Sequence, residues 1–211
     1  WDIANVGSYS TAMGNSTTAS GGSSTAMGNQ TMASGDFSTA MGLGTTASGE
    51  FSTAMGYGTV ANGHYSTAMG YETTASGDFS TAMGRSTIAS GEYSTAIGWL
   101  ANASGNFSTA MGRFTTAPSY NETTVGSYNT TYTVSSATAW NATDRLFTVG
   151  NGISSSARSD AVTVLKNGNT GIGTSTPAAR LHVADSSVVF SATGLALSTP
   201  CLLYTSPSPR D

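Results

Sequence analysis

Charge is what this chain has least of. Of its 211 residues, 7 are basic and 11 acidic, so charged side chains make up 9%, against about 25% in an ordinary soluble domain. The sparse Lys and Arg form no cluster, which argues against a nucleic-acid partner. Glu, Lys and Leu are too few for a coiled coil. No window approaches the roughly 18 apolar residues of a membrane helix. There is one Cys, so no disulfide can form within the chain. Proline is absent from Trp1 to Ala117. In their place stand 26 Gly and a Ser/Thr content of about a third. That composition alone allows disorder.

The ends read as cut. The chain opens at Trp1 without Met or a signal peptide. Residues 201–211, CLLYTSPSPRD, resemble the translation of a transposon-end sequencing adapter. They are expected to be an artefact that brings the only Cys with it, so the natural C-terminus is expected to lie elsewhere.

Periodicity removes the disorder reading. GSYSTAMGNSTTAS at Gly7–Ser20 returns every fourteen residues through eight copies, the last ending at Pro118, and a worn ninth puts Val125 and Gly126 in the Met and Gly slots. Fourteen residues are too few for a helical repeat. They suit one coil of a narrow β-solenoid: two short strands and two turns, with Gly at the corners. The missing Pro fits a backbone in which every N–H pairs with the next coil. At about 4.8 Å per coil, nine coils make a rod of roughly 43 Å.

Strand parity then sorts the side chains. In the first strand Ala12, Ala26, Ala40 and their equivalents share one face. Met13, Met27, Met41, Met55, Met69, Met83, Ile97 and Met111 share the other. A strand apolar on both faces is normally covered on both, and a narrow roll has one interior. The Met column is therefore read as a seam between copies of the chain or as plain core; parity leaves open which column points inward. In the second strand Thr17 and Ala19 form one face, and Thr18, Met32, Val60 and Ile88 belong to a variable one.

S-T-A-M-G-x-x-T-x-A-S-G-x-[FY] resembles the head repeat of trimeric autotransporter adhesins of the YadA type, with Met where that pattern has Ile. The resemblance covers about Gly7 to Thr131. It implies a left-handed parallel β-roll, an obligate homotrimer, display at the cell surface or outer membrane, and attachment to extracellular matrix protein or surface glycan. The expected layout is an all-β roll over residues 1–131, a β-rich neck or shaft over 132–200, and the adapter beyond. Arg158–Val183 resembles shaft segments of bacterial and phage fibres, which keeps a virion tail fibre as an alternative. An ice-binding solenoid is a third, its flat face built from Thr17, Thr31, Thr45, Thr59, Thr73 and Thr87.

Three columns bear on binding. The first-turn slot holds Asn15, Asn29, Leu43, Tyr57, Tyr71, Arg85, Trp99 and Arg113. Exposed Tyr, Trp and Arg are the types enriched at binding hot spots, so Tyr57, Tyr71, Arg85, Trp99 and Arg113 are the candidate ligand contacts. The corner slot Tyr9, Phe37, Phe51, Tyr65, Phe79, Tyr93 and Phe107 reads as an aromatic ladder joining coils. Beside it, Asp36, Glu50, Asp78 and Glu92 read as a solvated edge, with calcium as the alternative. No cofactor is expected. His64 and His182 stand alone, without metal-ligand spacing. The Gly-x-Gly pairs do not complete a dinucleotide loop, and no nucleophile has a base near it in sequence. The chain is read as a binding protein with no catalytic and no metal residues.

Overall fold

The computed structural model describes residues 6–184; the adapter-like segment lies outside them. The described residues form strands and turns without a helix. Nine five-residue strands, Thr11–Asn15, Thr25–Asn29, Thr39–Leu43, Thr53–Tyr57, Thr67–Tyr71, Thr81–Arg85, Thr95–Trp99, Thr109–Arg113 and Thr123–Ser127, stack in parallel order. Between them run two-residue strands, Thr18–Ala19 to Thr116–Ala117, in a second sheet of eight. Each residue pairs with its equivalent fourteen further on: Thr53 with Thr67, Ala54 with Ala68, Met55 with Met69, Gly56 with Gly70. The fold is a parallel β-solenoid with the period read from the sequence.

The interior decides the face question. Ala26, Ala40, Ala54, Ala68, Ala82, Ala96 and Ala110 are fully buried, as are Ala33, Ala47, Ala61, Ala75, Ala89 and Ala103 from the short strands. Ser38, Ser52, Ser66 and Thr45, Thr59, Thr73 complete the lining. The Met column is therefore the outer face. Met13 is 55% exposed and Met111 40%, with Met27 to Met83 half-buried. The same result removes the ice-binding alternative. Thr31, Thr45, Thr59, Thr73 and Thr87 point into the roll and are 0–1% exposed, so they cannot make a flat face toward ice.

Two glycine columns are needed for different reasons. Gly56 and Gly70 sit at φ +126°, a conformation that side chains avoid. Corner Gly63 has no such φ, but a Cβ there would lie 2.0 Å from the carbonyl oxygen of Gly77 in the next coil. The left-handed corner residue is the aromatic one beyond it, with Phe37, Phe51 and Phe79 at φ 57–58°. Glycine therefore stands at a positive φ in one column and at a tight corner in the other, as read, while the corner's own left-handed residue carries a side chain. The slot read as the first turn instead ends the strand, with Tyr57, Tyr71 and Arg85 as last strand residues, and the chain reverses one residue later, at Gly58, Glu72 and Ser86, in left-handed geometry.

Past the ninth long strand the sheet continues. Thr123–Ser127 pairs in parallel with Arg145–Asn151, which pairs antiparallel with Asp160–Leu165. Thr170–Ile172 and Leu181–Val183 extend it. The first strand partner is thus reached by an excursion from Tyr128 to Asp144.

Ala68 and Met69 are adjacent but differ in surroundings. Ala68→Leu forces extra methylenes into a closed interior and is expected to destabilise by about 1–3 kcal/mol or more. Met69→Leu is expected to cost under about 1.5 kcal/mol. Denaturant melts of the two variants check the assignment; equal costs would contradict it.

Candidate functional site

The fourteen-residue register turns every outer position into a column. At the end of the long strands, Leu43 pairs with Tyr57, Tyr57 with Tyr71, Tyr71 with Arg85, Arg85 with Trp99 and Trp99 with Arg113. The backbone hydrogen bonding continues around the turn: Glu72 N–H donates to Tyr57 O at 2.7 Å and Leu100 N–H to Arg85 O at 2.9 Å. The column is therefore fixed by the backbone, and all five candidate ligand contacts lie on one exposed edge.

The side chains stack along that edge. Tyr57 and Tyr71 rings lie 4.9 Å apart and 5° from parallel. The Arg85 guanidinium sits between the Tyr71 ring at 5.6 Å and the Trp99 ring at 5.5 Å. Arg113 sits between Trp99 at 4.9 Å and Tyr128 at 5.0 Å, and Phe114 stacks on Tyr128 at 4.6 Å. Such contacts are worth about 0.5–1 kcal/mol each at exposed sites. They also occupy ring faces. What this edge offers outward is ring edges, the phenol hydroxyls and the guanidinium N–H groups. The Glu72 carboxylate beside Tyr71 pushes its phenol pKa up.

The second aromatic ladder is regular. Phe37, Phe51, Tyr65, Phe79, Tyr93 and Phe107 stack at 4.7–5.0 Å with planes within 9°. Tyr120 ends it edge-on at 5.5 Å from Phe107. The neighbouring acidic column acts on the backbone. Asp36 Oδ1 accepts from Gly22 N–H at 2.7 Å, and Asp78 Oδ1 from His64 N–H at 2.9 Å. These two aspartates thus tie their coils to the one before, while Glu50 faces the His64 imidazole and Glu92 the Asn106 amide of the next coil. Among the described residues no group of three His, Cys, Asp or Glu could hold a metal ion.

A buried polar network at the end of the roll was not expected from the sequence. Glu122 takes the inward slot that Ser occupies in all eight copies, and it is fully buried. Its carboxylate accepts from Ser119 N–H and the Tyr132 hydroxyl, both at 3.0 Å. The Lys166 ammonium donates to the Ser119 hydroxyl at 3.0 Å. Arg145 and Asp160, both buried, form an ion pair at 3.4 Å, and Arg145 donates to Thr130 O at 2.8 Å. Asp144 accepts from Ser135 and Ser136 N–H at 2.8 and 3.0 Å. A cleft of about 320 Å³ opens beside it, lined by Tyr132, Arg145, Leu165 and Pro177 among others. The legible signal was the carboxylate in an inward Ser slot.

Side chains placed in columns on a rigid rod, rather than converging on a reacting atom, define the class: a repetitive display scaffold. The family profile described as YadA head domain repeat (2 copies) matches residues 6–31, 33–59, 61–87 and 89–115, just over half of the chain. The chain belongs to the YadA head repeat family, an adhesin family rather than an enzyme family. Comparison of the whole chain with curated proteins gives no match.

Burial raises the Glu122 pKa above its ordinary value, outweighing the hydrogen bonds and the charge of Arg145, which lower it. A carboxyl raised on folding binds more protons native than unfolded, so its contribution to stability falls as pH rises above the unfolded pKa of about 4.3. Glu122→Gln removes the buried charge but keeps an acceptor for Ser119. The variant is expected to match or exceed the parent in stability at pH 7 and to lose less between pH 5 and 7. Thermal melts at the two pH values check this, and a variant markedly less stable at pH 7 would contradict it.

Proposed function

We propose that the chain is the binding head of a homotrimeric surface adhesin, joining its targets through many weak contacts repeated along a rigid rod. The half-exposed Met column carries this reading. Met27, Met41, Met55, Met69 and Met83 lie in register on the outer face of the long strands. A continuous stripe of apolar side chains at every coil is the pattern of a face that meets a partner, and unlike the two aromatic ladders its side chains have no rings to stack on one another. Because each copy carries the same stripe at the same heights, copies on a shared axis can cover it along its full length. YadA head domains are trimeric adhesins of surface-exposed autotransporters, which supports the same assembly here.

In that arrangement residues 1–131 are the head and 132–200 begin the neck or shaft. The buried network around Glu122, Arg145 and Lys166 sits where the two meet. The targets are extracellular matrix protein or surface glycan, met by Tyr57, Tyr71, Arg85, Trp99 and Arg113. Three copies raise weak contacts to useful avidity without any new interaction.

Met69→Asp places a charge in the middle of the seam. It is expected to convert a three-chain particle into single chains or aggregate, read by native mass spectrometry. An assembled mass unchanged by the substitution would contradict the seam.

A further inference from the structure

We propose that the edge running from Tyr71 to Tyr128 binds an acidic polysaccharide through the guanidinium groups of Arg85 and Arg113. The inference rests on the adhesin reading and names the chemistry of one ligand class. Three observations carry it.

The two arginines are the only basic residues in the first 118, a stretch that also holds six acidic ones. Both fall in the same repeat slot, two coils apart. Neither side chain forms an ion pair or a hydrogen bond among the described residues, whereas Arg145, Arg158 and Arg180 all donate to protein oxygens. Of the acids in the neighbouring coils, Asp78 caps the His64 N–H at the other corner, Glu92 accepts from the Asn106 side chain, and Glu72, on the same edge, lies beside Tyr71 without pairing with either arginine.

The guanidiniums are also held in place. Arg85 lies between the Tyr71 and Trp99 rings, and Arg113 between the Trp99 and Tyr128 rings, at 4.9–5.6 Å. A planar fork fixed between rings has already lost much of its rotamer freedom, so it presents its N–H edge to an anion at lower entropic cost. Because the ring faces are covered by these neighbours, stacking of a sugar on an aromatic face is not available here. Charge-assisted hydrogen bonding to an anionic group is.

Spacing selects among polyanions. Arg85 and Arg113 are two strand spacings apart, about 9.6 Å. An extended acidic peptide repeats same-face charges about every 6.8 Å, and a nucleic acid strand carries a phosphate about every 3.4 Å. A polysaccharide with one carboxylate or sulfate per disaccharide comes nearest to the wider interval, and it runs straight along a straight edge.

The test uses the whole chain, with its assembled mass measured in the same samples. Immobilised hyaluronan and chondroitin sulfate are the probes, dextran the uncharged control, and poly-glutamate and single-stranded DNA the polyanions of closer spacing. The parent is expected to bind the two acidic polysaccharides and not dextran, with affinity that falls as salt is raised. Arg85→Gln with Arg113→Gln is expected to weaken binding at least about tenfold, and Arg85→Lys with Arg113→Lys to recover only part of it. No binding by the parent, equal binding by the Gln variant, or tighter binding to poly-glutamate or DNA would overturn the proposal. So would a changed assembled mass in the Gln variant, which would make the edge a contact between copies. A parent that assembles and adheres when displayed, with a Gln variant that does the same and binds the polysaccharides equally, fails the edge alone. A parent that does not assemble fails the adhesin reading instead.

Discussion

The distance from one backbone turn to the next governs this molecule. Each coil closes in fourteen residues, so the interior has room for Ala, Ser and Thr and little more. Corner glycines bring one coil to within contact of the next carbonyl, so that even a methyl group has no space. The parallel hydrogen bonding made possible by this approach runs through strands and turns alike. Large side chains are thereby driven outward, and at one strand spacing they must stack on their equivalents. The Met stripe, the two aromatic ladders and the Arg–Trp alternation are all consequences of the same narrow coil.

This explains how so low a charge content can coexist with order. A small interior gives each coil little hydrophobic stabilisation, since Ala has little apolar surface to bury. The remainder comes from contacts between coils: the backbone ladder, the stacked rings of Phe37 to Phe107, and carboxylates such as Asp78 that cap the preceding turn. Such a rod behaves as a sum of neighbour interactions and needs a finished end. At the described C-terminal end the repeat gives way to Glu122, Arg145, Asp160 and Lys166, whose hydrogen bonds join the last coil to the strands that follow.

The period, the strand positions and the two-sided apolar strand were legible because a repeat presents the same choice many times over. The absence of Pro and the constancy of Ala and Gly then had one simple explanation. Parity could separate Ala54 from Met55 but could not say which was inside, because both are apolar; the volume available in the coil settles it. The left-handed φ of Phe51 was hidden because glycine is the ordinary choice there; Ser23 and Asn121 take the same φ in that slot without a ring, so the corner geometry imposes it. The end network was hidden because its partners lie up to 47 residues apart in sequence, as Lys166 and Ser119 do. Only Glu122, out of place in a Ser slot, pointed to it.

The central claim is that the outer Met face is covered by other copies of the chain. Methionine oxidation tests it within one molecule. Met32, on the outer face of a short strand, is 45% exposed in a single chain, and Met111, in the Met column, is 40% exposed. Thioether oxidation follows accessibility, so an isolated chain would oxidise the two at similar rates under dilute peroxide. The account predicts that Met32 is oxidised several-fold faster than Met111, read by peptide mass spectrometry. Equal rates at the two positions would contradict it.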